Sequence, residues 1–450
     1  IAPNVGALAH YFTKLRTSKS WQGTKRVVKR GVSCIPWIGP PIARGLEWVK
    51  EGIRHMLLDG DFFEALGFSY LGPIDGHDMA TLIQVLQSAS REKRPMLVHV
   101  VTQKGKGYTL AENRPEKFHG IAPFFVENGN IRDQKPCGSV PSGNVTTDCL
   151  IDMAAEDARV VAITAAMAAG TGLTRFALAY KTRFFDVGIA EAHAVTLAAG
   201  MASCGMHPYF AVYSTFLQRA YDQVVHDVCL QRLPVTFLID RAGFVPGDGA
   251  THQGIFDVCF LRTVPNLTLW APADAEELCA MLRESLRMDT PCAIRYGKQI
   301  PQRLADVQGY RIGHWRWMEQ GSQMVLITYG ALLEEARKAA AQLRTQGVDC
   351  GVLHASTIKP LDREQLRTLH ARGVCMVVME EQQHIGGLGS AITDFCQAEN
   401  MRCPLCCIGV ADHFVEQHTV EGLRLANGLT AAQVVETVTA ALAAQEGSNE

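Results

Sequence analysis

The segment PVTFLID at residues 234–240 is typical of a buried strand in an α/β fold. It is a short apolar run that ends on an acidic residue and is followed by a Gly-rich loop. Strand-like apolar runs and helical segments alternate on both sides of it. This alternation predicts parallel sheets that are flanked by helices. Ligands of such sheets bind beyond the carboxyl ends of the strands. We therefore expect the chemistry in the loops after Asp186, Tyr213, Asp240 and Tyr296.

The pattern divides the 450 residues into three α/β units, of which the second starts near Ser142 and the third near Gln323. In the first unit we expect helices at Ile42–Leu58 and Asp78–Ser90, a buried strand at Pro95–Thr102 and a long loop at Gln103–Asn130. In the second we expect strands at Arg159–Thr164, Thr182–Asp186, His207–Tyr213, Pro234–Asp240, Leu267–Ala271 and Cys292–Tyr296, and helices at Thr147–Glu156, Ala190–Ser203, Phe216–Gln231 and Ala275–Arg287. In the third we expect strands at Met324–Thr328, Asp349–Leu353, Cys375–Glu380 and Leu405–Ile408, and helices at Leu332–Gln346, Gln365–Arg372, Ser390–Glu399 and Ala431–Ala443. A linker at Gly297–Gly321 joins the last two units.

Composition excludes several classes of partner. The formal net charge of −2 gives no electrostatic reason to bind nucleic acid or an anionic membrane surface. No apolar run reaches the ~20 residues of a membrane span. The 14 cysteines are irregularly spaced, and the densest group, Cys403, Cys406 and Cys407, is a weak zinc signal. We therefore expect reduced thiols and a cytoplasmic protein, and we interpret the start at Ile1 as the interior of a longer protein.

Glu191 lies one turn into a predicted helix, directly after a strand and Gly188. One interpretation is an acidic residue that stabilises the positive end of the helix dipole, by a few tenths to ~1 kcal/mol. The other is a functional carboxylate at the active edge of the sheet. The residues alone favour the first interpretation.

The loop that follows Asp240 carries Arg241, Asp248 and His252 within a Gly-rich stretch. Arginine offers a planar fork for a carboxylate or phosphate, and Asp and His can bind hydroxyl groups or transfer a proton. A salt-bridged structural loop is the alternative. The density of such groups favours a functional site.

Three further positions are candidates with structural alternatives. Tyr213 ends a strand at the same edge and Phe216 follows it, where core packing is the alternative. Arg295 lies inside an apolar strand, which is costly unless its charge is paired. Tyr108, in the string KGKGY, follows a weak phosphate-loop pattern that is more often a solvated turn.

Five strings together closely resemble the 1-deoxy-D-xylulose-5-phosphate synthase family, and the likeness extends over nearly the whole chain. They are GPIDGHD at 72–78, HVVTQKGKGY at 99–108, FDVGIAEAH at 185–193, YSTFLQRAYDQ at 213–223 and DRAGFVPGDGATHQG at 240–254. The resemblance implies a transketolase-like α/β fold and a homodimer. It also implies that 1–140 is the end of a diphosphate-binding domain, 141–312 an aminopyrimidine-binding domain and 313–450 a transketolase C-terminal-like domain.

The implied reaction joins pyruvate to glyceraldehyde 3-phosphate with loss of carbon dioxide, and uses thiamine diphosphate and Mg²⁺. Glu191 matches the glutamate that bonds a ring nitrogen of the aminopyrimidine. Tyr213 and Phe216 match the pocket beside that ring, and Tyr108 matches a further cofactor contact.

The resemblance also implies roles toward the substrates. His119 and His252 match histidines that handle protons and orient the substrate. Arg241 and Arg295 match groups that hold the triose phosphate, and Asp248 and Tyr213 lie near its hydroxyl groups.

The diphosphate and magnesium ligands of the family are not among these strings. The sequence Gly247-Asp248-Gly249 is not the metal motif, because no Asn follows about thirty residues later. We therefore expect those ligands upstream of Ile1, no metal ligand in this chain, and little activity for the chain alone. The alternatives are another transketolase-type transferase, or an inactive fragment or half of a split synthase.

Overall fold

The computed structural model describes Phe63 and residues 66–115, 117–121, 123–132, 138–304, 313–402 and 404–446. Their contacts form two compact units, Ile1–Asp133 and Gln134–Glu450, each of which is described by itself. The predicted helix at Ile42–Leu58 lies outside the described residues. The three predicted domain boundaries stay predictions.

The described part of the first unit is a small parallel α/β motif. Its elements are β1 (Ser69–Asp75), α1 (Met79–Ala89), β2 (Met96–Val101) and α2 (Thr109–Asn113). Strands β1 and β2 pair in parallel, from Ser69 opposite Met96 to Asp75 opposite Val101. The Asp78 carboxylate caps α1 by accepting the Thr81 N–H at 3.2 Å, as predicted.

One expectation for the first unit was wrong, and one strand was missed. The residues of β2 are half-buried or exposed, not buried on both faces. Strand β1 was not predicted, because the Gly72-Pro73 pair interrupts its apolar pattern.

The second unit contains two parallel-dominated sheets. Its first half consists of β3 (Ser139–Pro141), α3 (Ser142–Glu156), β4 (Val160–Thr164), α4 (Thr174–Ala179), β5 (Phe184–Asp186), α5 (Glu191–Ser203), β6 (His207–Tyr213), α6 (Ser214–Leu217), α7 (Tyr221–Gln223), β7 (Thr236–Asp240), α8 (Asp257–Arg262), β8 (Thr268–Trp270), α9 (Ala275–Ser285), β9 (Cys292–Tyr296) and β10 (Gln299–Pro301). Its second half consists of β11 (Arg316–Glu319), β12 (Met324–Thr328), α10 (Leu333–Thr345), β13 (Cys350–His354), β14 (Thr357–Lys359), α11 (Arg363–Ala371), β15 (Cys375–Gln383), α12 (Leu388–Ala398), β16 (Leu405–Val410), α13 (Val420–Ala426) and α14 (Ala431–Glu446).

The central sheet has seven strands in the order β14-β8-β9-β7-β6-β4-β5. All neighbours pair in parallel except β14, which is antiparallel to β8. Alternate residues of β7 pack on opposite faces of the sheet. Phe237 and Ile239 pack on the face that α5 covers, and Leu238 packs on the face that α3 and α9 cover. Helices therefore cover both faces, which explains why the strands are uniformly apolar.

The C-terminal sheet has the order β11-β13-β12-β15-β16, with β11 antiparallel and the other pairs parallel. Strand β11 lies within the predicted linker, so that expectation was wrong. The expected single helix at Phe216–Gln231 was also wrong: α6 is followed by a 3₁₀ turn at Gln218–Ala220, then α7, then a π-helical turn at Val224–Cys229. Among the described helices, none combines the length and the apolar character that crossing a membrane requires.

Candidate active site

Glu191 begins α5 at the carboxyl edge of the central sheet, and its side chain is buried. The turn before it is held by Asp186, whose Oδ1 accepts the N–H groups of Ala166 at 2.8 Å and Gly188 at 3.0 Å. Arg219 donates from Nη1 to Glu191 Oε1 at 3.2 Å. The result is a buried carboxylate whose position is fixed by its own turn and by one arginine.

Three aromatic rings lie together beyond β6, and we call Tyr213, Phe216 and His252 the aromatic shelf. Tyr213 and Phe216 are stacked, with ring centroids 5.7 Å apart and planes 16° apart. His252 meets the edge of Phe216 at 5.4 Å. The Arg219 guanidinium lies over Phe216 at 5.4 Å, so the same arginine joins Glu191 to the shelf.

Arg241 follows β7 with a left-handed backbone, φ 58°. Its guanidinium lies 3.8 Å from the Tyr213 ring centroid, a cation–π contact. It also donates to Gly170 O at 3.0 Å and pairs with Asp240 Oδ2 at 3.2 Å. A Cβ at position 170 would collide with the Tyr213 hydroxyl, so this close approach requires glycine.

Burial changes the acidity of two groups beside Arg241. It raises the pKa of Asp240 to about 6, against the opposing effect of Arg241. Burial also raises the pKa of Tyr213, and the nearby Asp240 and Asp248 carboxylates add to that rise. The Tyr213 hydroxyl is therefore protonated, and can donate a hydrogen bond, at neutral pH.

The Arg241–Gly254 loop carries Asp248 and His252. Asp248 is exposed, and His252 is half-buried with its Nδ1 2.9 Å from the Thr251 hydroxyl. The loop therefore supplies the histidine of the aromatic shelf and an acid, Asp248, whose charge acts on Tyr213.

Arg295 is placed differently from the other predicted residues. Its guanidinium is 6% exposed and donates to Asp257 at 2.8 and 3.3 Å. Burial disfavours its charge, but the Asp257 carboxylate more than offsets this and raises its pKa. Among the contacts of the described residues, Arg295 bonds Asp257 and lies over the Tyr329 ring, and it contacts none of the residues around Tyr213.

Sequence reasoning assigned no partner or role to two basic residues at this edge. Arg219 was noticed in the sequence, but its pairing with Glu191 was not predicted. Lys298 is exposed and lies two residues after the end of β9. Its positive charge lowers the pKa of Asp240, although burial raises that pKa by more. The signal for Lys298 was its position after Tyr296, one of the strand ends expected to carry chemistry.

Tyr108 and His119 belong to the first unit. Tyr108 packs against Phe118 and Phe124, and its hydroxyl donates to Val126 O at 2.7 Å. His119 Nδ1 lies 2.5 Å from Lys104 Nζ, and this cation lowers the pKa of the imidazole. The lowered pKa favours the neutral, proton-accepting form of the ring.

The described residues contain no group of three or more His, Cys, Asp or Glu side chains that could hold a metal ion. Cys406 and Cys407 lie on β16, half-buried and exposed respectively. Cys403 is outside the described residues.

Comparisons with known proteins define the class. Three family models match this chain: 1-deoxy-D-xylulose-5-phosphate synthase at residues 1–102, the transketolase pyrimidine binding domain at 139–302 and the transketolase C-terminal domain at 313–434. Among solved structures, "Split gene transketolase, inactive beta4 tetramer" is 29% identical with a TM-score of 0.62, over 68% of this chain and 99% of that one. Transketolase from Campylobacter jejuni, 17% identical, shares the fold with a TM-score of 0.59 over 84% of this chain and 68% of its own.

Fold and site thus define a transketolase-like α/β protein. The 1-deoxy-D-xylulose-5-phosphate synthase of Heliobacterium modesticaldum is 44% identical over 440 residues, which are 96% of this chain and 67% of that protein. The synthase of Caldanaerobacter subterraneus subsp. tengcongensis is 43% identical, over 97% of this chain and 70% of its own. The chain belongs to the 1-deoxy-D-xylulose-5-phosphate synthase family and spans about two thirds of the length of these relatives.

Proposed function

We propose that the chain carries out the transferase reaction that joins pyruvate and glyceraldehyde 3-phosphate to 1-deoxy-D-xylulose 5-phosphate and releases carbon dioxide. The observation that carries this proposal is the buried Glu191 carboxylate beside the aromatic shelf, in a chain of this family. The product would enter the non-mevalonate route to isoprenoids and supply precursors of thiamine and pyridoxal. A cytoplasmic location is proposed with it, supported by the free thiols of the described cysteines.

The residues present fit the aminopyrimidine of thiamine diphosphate. Thiamine diphosphate supplies the nucleophilic carbon that adds to the ketone of pyruvate and accepts the electron pair left by carbon dioxide. Glu191 would share a hydrogen bond with a ring nitrogen, and Tyr213 and Phe216 would cover the ring. Tyr108 is proposed as a further contact. Mg²⁺ is proposed as the counter-ion of the diphosphate, and no described residue is assigned to it.

Arg219 would orient Glu191. Its Nη1 already donates to Oε1 at 3.2 Å, which holds the carboxylate in one orientation toward the ring.

The triose phosphate is proposed to bind beside Arg241. Arg241 and the exposed Lys298 offer the positive charge, and Asp248 and the protonated Tyr213 hydroxyl can bond hydroxyl groups. His252 would orient the substrate and exchange protons. The role predicted for Arg295 stays a prediction, and its buried pair with Asp257 favours a structural part in holding up this edge of the sheet.

His119 is proposed as a proton acceptor. The Lys104 ammonium lowers the pKa of its imidazole, so the neutral form is available at pH 7. A neutral imidazole can accept a proton from a substrate hydroxyl group and return it later in the cycle.

A homodimer is proposed from two exposed apolar side chains, the first of which is next to the site. Ile189, directly before Glu191, is 64% exposed, and Leu230 after the π-helical turn is 69% exposed. Apolar surface of this kind favours burial by a partner. Ile189→Asp should shift the chain toward monomer in analytical ultracentrifugation, and an unchanged mass would count against this interface.

The reaction is tested by carbon dioxide release from carboxyl-labelled pyruvate. The chain is assayed by itself and after fusion, ahead of Ile1, to the segment of the Heliobacterium modesticaldum synthase that has no counterpart here. We expect little release from the chain by itself. In the fused form we expect release that depends on glyceraldehyde 3-phosphate and yields one ketose phosphate per carbon dioxide. Turnover of xylulose 5-phosphate without carbon dioxide would instead identify another transketolase-type transferase, and no turnover in either form would refute the proposal.

A further inference from the structure

The Arg241–Gly254 loop is closed at its base by hydrogen bonds between its own two ends. Gly243 and Gly254 exchange backbone hydrogen bonds of 2.8 and 2.9 Å. The buried Gln253 side chain accepts from Val245 N at 2.8 Å and donates to Val245 O at 3.2 Å. These four hydrogen bonds close the base, so a residue that holds the base also helps to position the exposed tip with Asp248.

Glu381, at the end of β15 in the C-terminal sheet, holds the outgoing end of this base. Its Oε2 accepts the Phe244 N–H at 3.3 Å, and its Oε1 accepts from Arg424 Nε at 2.7 Å. Gly243 has φ +85°, and a Cβ there would lie 2.5 Å from Oε2. The carboxylate is 11% exposed, so its bond to the loop is largely shielded from water.

The next two residues of β15 hold the returning end. Gln382 Nε2 donates to Gly254 O at 3.1 Å, and Gln383 N donates to Ile255 O at 2.9 Å. Gln382 also donates to Asp257, the partner of Arg295. Three consecutive residues of the C-terminal sheet therefore grip both ends of a loop that belongs to the central sheet.

We propose that Glu381 is a positioning residue, which sets the affinity for the triose phosphate by fixing the base of the Arg241–Gly254 loop. The inference rests on the proposed function of that loop. Glu381 itself contacts no group assigned to the cofactor or the substrate. Its removal should therefore loosen the loop and weaken triose phosphate binding, while the Glu191 side of the site is unchanged.

The test compares the wild-type 450-residue chain with Glu381→Ala and Glu381→Asp by hydrogen exchange and calorimetry. Glu381→Asp keeps the negative charge near Arg424 but withdraws the carboxylate from Phe244 N. It therefore distinguishes the loss of the hydrogen bond to the loop from a general loss of stability. Glu399→Ala is the matched control, because it removes an exposed ion pair with Arg367 from the same part of the chain. Glyceraldehyde 3-phosphate is titrated into each protein, and exchange is followed over residues 243–256.

We expect faster exchange over 243–256 in both Glu381 variants and not in the control. Affinity for glyceraldehyde 3-phosphate should fall about fivefold to thirtyfold in Glu381→Ala, the effect of losing one or two buried hydrogen bonds, and less in Glu381→Asp. Unchanged exchange, or faster exchange with unchanged affinity, would overturn the positioning role. His252→Ala distinguishes the underlying assignment: if it also leaves the affinity unchanged, or if the wild type does not bind the triose phosphate, the proposed function of the loop is what fails.

Discussion

Asp240→Asn should remove a pH-dependent loss of stability. The Asp240 carboxyl is 2% exposed, and its Oδ1 has no hydrogen-bond partner among the described residues. Burial raises its pKa from 3.8 to about 6. A difference of about two pKa units between the unfolded and folded states corresponds to roughly 3 kcal/mol of folding free energy.

The sign follows from where the proton is bound. Between pH 4 and 6 the folded protein keeps the proton on Asp240 while the unfolded chain releases it. Stability from this group is therefore complete below about pH 4 and is lost as the pH rises to 6. Asparagine cannot titrate, so its contribution to the free energy of unfolding is the same at every pH.

The measurement is the free energy of unfolding by urea for both proteins from pH 4 to 7, followed by tryptophan emission. The buried Trp270 and Trp315 report on the second unit, which contains Asp240. The stability of the wild type relative to Asp240→Asn should fall by roughly 3 kcal/mol over this range. All other titrating groups cancel in the difference. A difference that is constant or rises with pH would refute the raised pKa.

Other perturbations test separate parts of the account. Arg295→Ala should destabilise the second unit by about 3–5 kcal/mol in urea unfolding, because it leaves the Asp257 carboxylate buried without its partner. Lys104→Met should raise the pKa of His119 in an NMR titration, because the lowering cation is gone. Phe216→Ala should weaken thiamine diphosphate binding about twofold to twelvefold in calorimetry, the value of one aromatic stack.

A specific result would contradict each of these three predictions. Arg367→Ala breaks an exposed ion pair and should lower the free energy of unfolding by less than about 1 kcal/mol. An equal effect of Arg295→Ala would show that its buried pair contributes no more than an exposed one. An unchanged His119 titration would remove the argument for a neutral imidazole. Unchanged cofactor affinity in Phe216→Ala would place the pyrimidine elsewhere.

Sequence patterns predicted the parallel strands well where an apolar run is bounded by polar residues. His207–Tyr213, Cys292–Tyr296 and Met324–Thr328 begin and end where predicted. Short strands were missed when a distant partner decides their structure. Thr357–Lys359 has three residues and forms a strand because it pairs antiparallel with β8, nearly ninety positions earlier.

The site shows the same division. Local strings placed Glu191, Tyr213, Phe216 and His252 at one edge, because the carboxyl ends of parallel strands meet there. Pairings across the fold were not visible. The carboxylate that neutralises Arg295 comes from a helix 38 residues earlier, so no local pattern could show that this arginine is already paired.

Activation of thiamine diphosphate is proposed to depend on the Glu191 carboxylate. The most direct measurement is the rate at which bound cofactor exchanges its thiazolium C2 proton for deuterium, determined by acid quench and NMR in wild type and Glu191→Gln, each fused to the relative's segment ahead of Ile1. At saturating cofactor, exchange should be slower by about 10²–10⁴-fold in Glu191→Gln, the usual contribution of a positioned acid–base group. Equal exchange rates in the two proteins would contradict it.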